Sequence, residues 1–229
     1  MEAKLWNAGE RTCRVYAGEN ARFLLIQMAD GYDMQGMDRE AETIAEQAAA
    51  PFLLTAVPVG DWNRELSPWS APPVFGSEGF GNGAADTLKY LRETLLPALR
   101  RDFSLAPDVR LVLGGYSLAG LFALWSGHVS EGWDGIAAAS PSVWFPGFLP
   151  FAAEQPIRSK AVYLSLGDRE ERTRNPAMRR VGDCIRELYA LYGERPGVHT
   201  ALEWNEGNHF RDPDLRMARA FLWTMRRAA

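Results

Sequence analysis

The 229-residue sequence predicts an α/β fold: an open, mostly parallel central sheet with helices on both faces. Three observations carry that expectation. Short runs that are apolar throughout recur along the chain, and amphipathic segments lie between them. One such run passes through two glycines and a serine into a helical segment, in "LVLGGYSLAGL" at residues 111–121. With 47% hydrophobic and 24% charged residues, the chain fits one domain over residues 1–229.

At the N-terminus, "LWNAGERTCRVYAGE" supplies one or two short antiparallel edge strands. Strands are expected at residues 22–28, 52–59, 109–115, 135–140, 161–166 and 199–204, and because most of these runs are apolar without alternation they suit central strands covered on both faces. Residues 60–83, rich in Gly, Pro and Trp, are too long for an idle connection and are expected to fold over a site. Leu88, Leu91, Leu95 and Leu99 recur at helical spacing, which predicts a helix over residues 84–101. Another opens with Asn175 as N-cap and Pro176 at the first helical position, and runs to Gly193. The last opens near Asp212 and Pro213 and continues through Met217, Phe221 and Leu222.

A formal net charge of −4 removes the usual electrostatic reason to expect nucleic acid or an anionic membrane as partner. Small molecules are the expected partners, and the residues carry no signal of oligomeric state. The start, "MEAKLWNAGERT", has no signal-peptide core, and no run approaches eighteen apolar residues, so a cytoplasmic location is expected. Cys13 and Cys184 lie far apart without metal-ligand spacing, so neither a disulfide nor a zinc site is expected. No metal or organic cofactor is called for.

In a doubly wound sheet, ligands bind beyond the carboxyl ends of the strands, and Ser117 stands at such an end. Gly115, Ser117 and Ala119 form GxSxA, one residue short of the GxSxG nucleophile elbow, with Gly120 next to it. A serine nucleophile needs a base, and the base needs an orienting acid, in the chain order Ser, acid, His. His128 falls at the end of the helix after Ser117 and should point away from the strand tips, as a helix-terminating residue; His199 begins a strand at the far edge. His209, in "EWNEGNHF", follows a strand's carboxyl end and is the candidate base. For the acid, "YLSLGDREERT" offers Glu170, with Asp168 as the close alternative. Backbone N–H donors for the oxyanion are expected from Leu118 and, in "QMADGYDMQ", from Tyr32, where Gly31 lets the backbone approach the substrate.

With those residues placed, the chain resembles the α/β-hydrolase superfamily, and within it the "Putative esterase" family of enterochelin-esterase-like proteins. The likeness also runs through "NRELSPW", "GNGAADTLKYLRETLLPALRRDF", "SPSVWF", "LSLGDREERTRNP" and "GNHF", covering most of residues 22–209 in the family's order. It implies serine-dependent ester hydrolysis with Ser117 as nucleophile, His209 as base and Glu170 as acid. It also implies that Ser140, Trp144 and Phe145 of "ASPSVWF" line the pocket. Trp62 and Trp69 are further candidate walls, and Arg64 a candidate substrate contact unless it pairs with Asp61 or Glu65. The sequence departs from the family at Ala119, and in starting directly with the catalytic domain, which argues against a siderophore substrate.

The expected activity is hydrolysis of a small-molecule carboxylic ester through an acyl-enzyme. Two other readings stand beside it: acyl transfer to an alcohol on the same residues, and a catalytically silent ligand-binding protein on the same fold.

Overall fold

A computed structural model describes residues 1–74 and 76–228. Eight strands form one sheet in the order β1-β2-β4-β3-β5-β6-β7-β8. Strands β1 (Lys4–Ala8) and β2 (Arg11–Ala17) are the antiparallel edge that the N-terminal segment predicts. The other six are mutually parallel: β3 (Phe23–Ala29), β4 (Phe52–Pro58), β5 (Arg110–Tyr116), β6 (Gly135–Ala139), β7 (Ala161–Gly167) and β8 (His199–Asn205). Each matches an expected apolar run. Every residue of β3, β6 and β7 is buried, which is why those runs show no polar alternation.

Alternate side chains of a strand face opposite sides, so β3 feeds two cores. Phe23, Leu25 and Ala29 face α1 (Asp33–Gln47), through Met37, Ala41 and Ile44, and the C-terminal helix. Leu24, Ile26 and Met28 join the second core, with the helical segments of residues 84–102, 118–129, 148–154 and 181–193.

Between β4 and β5, the 60–83 stretch holds one turn of helix, α2 (Trp62–Glu65), and an Ala71 to Phe80 bridge. The following helix keeps its leucine stripe but is not uniform: α3 (Ala84–Tyr90) passes through a π turn (Leu91–Leu95) into α4 (Leu96–Asp102). Pro97 has no N–H to return to the preceding turn, and the widening precedes it directly. After β5 come α5 (Leu118–Val129), α6 (Phe148–Glu154), α7 (Val181–Gly193) and α8 (Pro213–Ala228). Asn175 caps as expected, its Oδ1 accepting from Ala177 and Met178 N–H, but the first turn is 3-10 before α7 begins. Helices α1 and α6 go beyond the sequence reading. In α1, Gly36 and a buried Glu40 interrupt the apolar stripe, and α6 has only seven residues, with a proline among them.

His128 differs from its expected role. It is buried, with Nδ1 2.9 Å from the Gln155 carbonyl and Nε2 2.7 Å from the Tyr192 hydroxyl. A carbonyl only accepts, so Nδ1 carries the proton and Nε2 accepts from Tyr192. The ring thereby links α5 to α7, and burial pushes its pKa down to about 4, so it brings no charge to the helix end. Unfolding returns the ring to an ordinary value of 6.5. Stability should therefore decline as pH falls from about 6.5 to about 4, by at most about 3 kcal/mol from this residue, and level off below. Denaturant midpoints measured across that window should fall less steeply in His128→Gln; identical slopes would count against the buried neutral ring.

Candidate active site

The site begins at the end of β5. Ser117 follows Tyr116 with φ +56° and ψ −120°, a conformation disfavoured for any residue with a Cβ. Neighbouring backbone holds it there: Ser117 N–H donates to Ala139 O at 3.2 Å, and Ser142 N–H donates to Ser117 O at 3.0 Å. A Cβ on Gly115 would lie 2.5 Å from the Ala119 carbonyl carbon and 2.6 Å from the Ala119 Cβ. On Gly120 it would meet Gly115 O at 2.9 Å and Pro141 at 3.0 Å. The turn is therefore fully closed with alanine at 119, because the methyl fills space that Gly115 leaves. Leu118 opens α5, so its N–H has no intrahelical acceptor and points out of the helix N-terminus.

Facing this turn, His209 Nδ1 lies 2.7 Å from Glu170 Oε2. Glu170 stands just beyond β7, His209 just beyond β8, and parallel pairing of β7 with β8 sets the two loops side by side. The Glu170 side chain is 4% exposed and that of His209 27%. Glu170 Oε1 accepts from Gly167 N–H at 2.7 Å, Ser140 Oγ at 2.8 Å and Arg216 Nη1 at 3.0 Å. Burial by itself raises the pKa of this carboxyl, but the His209 hydrogen bond and charge, with the Gly167 and Ser140 donors, outweigh it and hold the pKa below the ordinary range. The His209 ring packs against Tyr116, whose hydroxyl donates to the His209 carbonyl at 2.7 Å.

Two cavities meet at Ser117, His209 and Phe210. One, of about 140 Å³, is walled by Asp30, Tyr32, Asp33, Trp62, Tyr116 and Pro213. The other, of about 230 Å³, is walled by Ser142, Trp144, Arg169, Arg172, Thr173, Met178, Val181 and Asn208. In the first, burial and then the Asp30 charge raise the Asp33 pKa to about 7. Ser117 Oγ rests 3.3 Å from Ser142 Oγ, its one side-chain partner among the described residues. A larger cavity of about 520 Å³ opens at the amino ends of β3 and β5; no histidine or cysteine lines it. Among the described residues no group of three or more His, Cys, Asp or Glu is arranged to hold a metal ion, and no helix is long and apolar enough to cross a membrane.

Several residues expected at the site lie elsewhere or are otherwise engaged. Asp168 Oδ1 accepts from Gly207 N–H at 2.8 Å and ties two loops, away from His209. Arg64 pairs with Asp61 at 3.1 Å and lines neither cavity. Trp69 also lies outside both: it donates to Pro146 O at 2.8 Å and packs on Phe145 and Phe151. Phe145 is 2% exposed and belongs to the core. Ser140 borders the 230 Å³ cavity, but its hydroxyl is spent on Glu170. Tyr32 N–H donates to Asp30 Oδ1 at 2.7 Å, so that donor is occupied, whereas the space beside Gly31 is open to beyond 4 Å. Tyr116, Ser142 and Arg216 belong to the site without having been anticipated. The legible signal for Arg216 was an arginine on the apolar face of α8, between Pro213 and Ala220.

A sequence profile described as "Putative esterase" matches residues 9–181. No curated protein sequence matches the chain. Among solved structures, the siderophore hydrolase EstA from Aspergillus nidulans is similar with TM-score 0.72 and 20% identity, over 100% of this chain and 95% of that one. An IroE-like serine hydrolase from Shewanella oneidensis gives 0.79 at 14%, over 98% and 79%. The enterobactin esterase FES from Shigella flexneri gives 0.64 at 18%, over 97% of this chain and 58% of that one. At these identities the structures establish the fold, and the profile, which spans most of the chain, establishes the family. This chain belongs to the "Putative esterase" family and is an esterase of the α/β-hydrolase type.

Proposed function

We propose that the protein hydrolyses carboxylic esters of small molecules through an acyl-enzyme on Ser117. The observation that carries this reading is the 2.7 Å Glu170 to His209 bond, set beside a strained serine in a shared cavity at the strand ends. Glu170 holds the Nδ1–H tautomer and leaves Nε2 as the base. A turn about the Cα–Cβ bond takes Ser117 Oγ from Ser142 to the imidazole; such bonds are commonly long before substrate arrives.

Oγ then attacks the ester carbonyl carbon while its proton passes to Nε2. The resulting oxyanion is met by Leu118 N–H and, in this reading, by Gly31 N–H, since Tyr32 N–H is engaged with Asp30. Collapse breaks the bond to the alcohol oxygen, which takes the proton from His209. Water repeats the sequence on the acyl-enzyme, giving the acid and restoring Ser117.

The expectation against siderophore esters rested on a missing N-terminal domain. EstA, a siderophore hydrolase, is covered over 95% of its length by this chain, so such esters belong in the substrate panel. The test is turnover of chromogenic esters of graded acyl length, together with labelling by an organophosphonate followed by peptide mass spectrometry. Turnover with a single adduct on Ser117 is expected; no turnover on any ester, or an adduct elsewhere, rejects the reading. Added alcohols that divert most product into new esters would reassign the reaction to acyl transfer.

A further inference from the structure

We propose that Arg216 is a positioning residue that locks Glu170 and the His209 loop together and shares the charge of Glu170 with His209. The inference rests on the reading of Ser117, His209 and Glu170 given above. Arg216 projects from α8 into the sheet and is 1% exposed. Its Nη1 reaches Glu170 Oε1 at 3.0 Å, Tyr116 Oη at 3.0 Å and Ser140 Oγ at 3.1 Å. Its Nη2 donates to the carbonyls of Asn208 at 3.0 Å and Glu206 at 3.2 Å, within the loop that ends in His209.

One planar fork therefore spans the end of β5, the segment after β6, the acid after β7 and the histidine loop after β8. Tyr116 extends it by donating to the His209 carbonyl. A lysine ammonium, a single point with three donors, cannot reach acceptors spread that widely in one plane. Gly167 carries the imprint of the arrangement: a Cβ there would stand 2.9 Å from Glu170 Oε1 and 3.0 Å from Arg216 Nη2.

The electrostatic consequence concerns the other carboxylate oxygen. Glu170 is the anion that compensates the buried guanidinium, so its charge is shared between Arg216 at Oε1 and His209 at Oε2. A carboxylate already paired with a cation stabilises the imidazolium less than a bare one does. Other charges facing the ring are Asp30 and Asp33 across the 140 Å³ cavity and Arg169 and Arg172 across the 230 Å³ one. All four are untouched by substitution at 216.

Arg216→Lys and Arg216→Met, assayed on an ester that wild type hydrolyses, separate the two effects. Arg216→Lys keeps the charge but loses the fork: kcat should fall about 10- to 100-fold with KM little changed and the acid limb of the pH profile in place. Arg216→Met should lose at least as much and also move the acid limb of kcat/KM to higher pH. The low-field proton resonance of His209 Nδ1–H should broaden in both. Wild-type kcat and an unmoved limb in these variants would overturn the proposal. Should they not fold, Tyr116→Phe removes one hydroxyl at constant shape and should cost about fivefold in kcat; wild-type kcat there overturns it equally. Equal activity of wild type and Ser117→Ala would instead reject the underlying reading.

Discussion

Ser117→Ala is expected to lower kcat by at least about 10³-fold on every ester that wild type hydrolyses, and to abolish organophosphonate labelling. Alanine keeps the Cβ, so the backbone at φ +56° is no more strained than before, and the contacts of Gly115 and Gly120 with Ala119 and Pro141 are unaltered. The lost hydroxyl leaves only Ser142 Oγ without its partner, in a position bordering a cavity that water reaches. Thermal stability should therefore stay near wild type, and the loss belongs to chemistry. Residual activity above the uncatalysed rate would come from Leu118 N–H and from substrate positioning. Activity within about tenfold of wild type in a correctly folded Ser117→Ala protein would remove Ser117 from the mechanism.

Glu170→Gln should be costly in two separate ways. The amide cannot supply the negative charge that the imidazolium needs, for which a loss of about 10² to 10⁴ in kcat is expected. It also leaves Arg216, buried at 1% exposure, without its anion, which typically costs about 3 to 5 kcal/mol of stability. The carboxyl pKa lies below its ordinary 4.5 in the folded protein, so the wild-type contribution is present above that value and is lost as pH falls through the lowered one. Acid unfolding of Glu170→Gln should lack this component. Asp168→Asn is the comparison, because Asn Oδ1 can still accept from Gly207 N–H and, among the described residues, the His209 ring bonds to Glu170 and not to Asp168. Its kcat should remain within a few-fold of wild type. A larger loss in Asp168→Asn than in Glu170→Gln would exchange the two roles.

Strands β3, β6 and β7 could be read from sequence because burial on both faces writes an uninterrupted apolar run, whereas β8, at the sheet edge and mostly half-buried, carries His199, Thr200 and Glu203 within its run. Helix α1 could not, because Glu40 turns inward beside Ala41 between Met37 and Ile44 and is buried against Gln27. The order Ser117, Glu170, His209 could be read because each residue follows the carboxyl end of a strand, and parallel strands bring such ends together. Tyr116, Ser142 and Arg216 could not, since their contacts with one another, Ser117 and Glu170 cross 25 to 100 positions and end on hydroxyl and carboxylate groups that no spacing rule specifies. Arg64 and Trp69 had the chemistry of substrate contacts, but nearer partners, Asp61 and Pro146 O, had already claimed them.

The segment from Ser140 to Ser142 restrains both halves of the site. Ser140 has φ +44° and holds Glu170, Pro141 leaves no room for a side chain at Gly120, and Ser142 anchors the backbone of Ser117. Adaptive change is therefore unequally available around the cavities. A substitution among these three residues disturbs nucleophile and acid together, so selection for new substrates would find few viable steps there. Trp62, Trp144, Thr173 and Met178 touch the cavities while holding neither the serine turn nor the acid. Laboratory evolution should accumulate its specificity changes at those four walls and leave the three-residue clamp untouched.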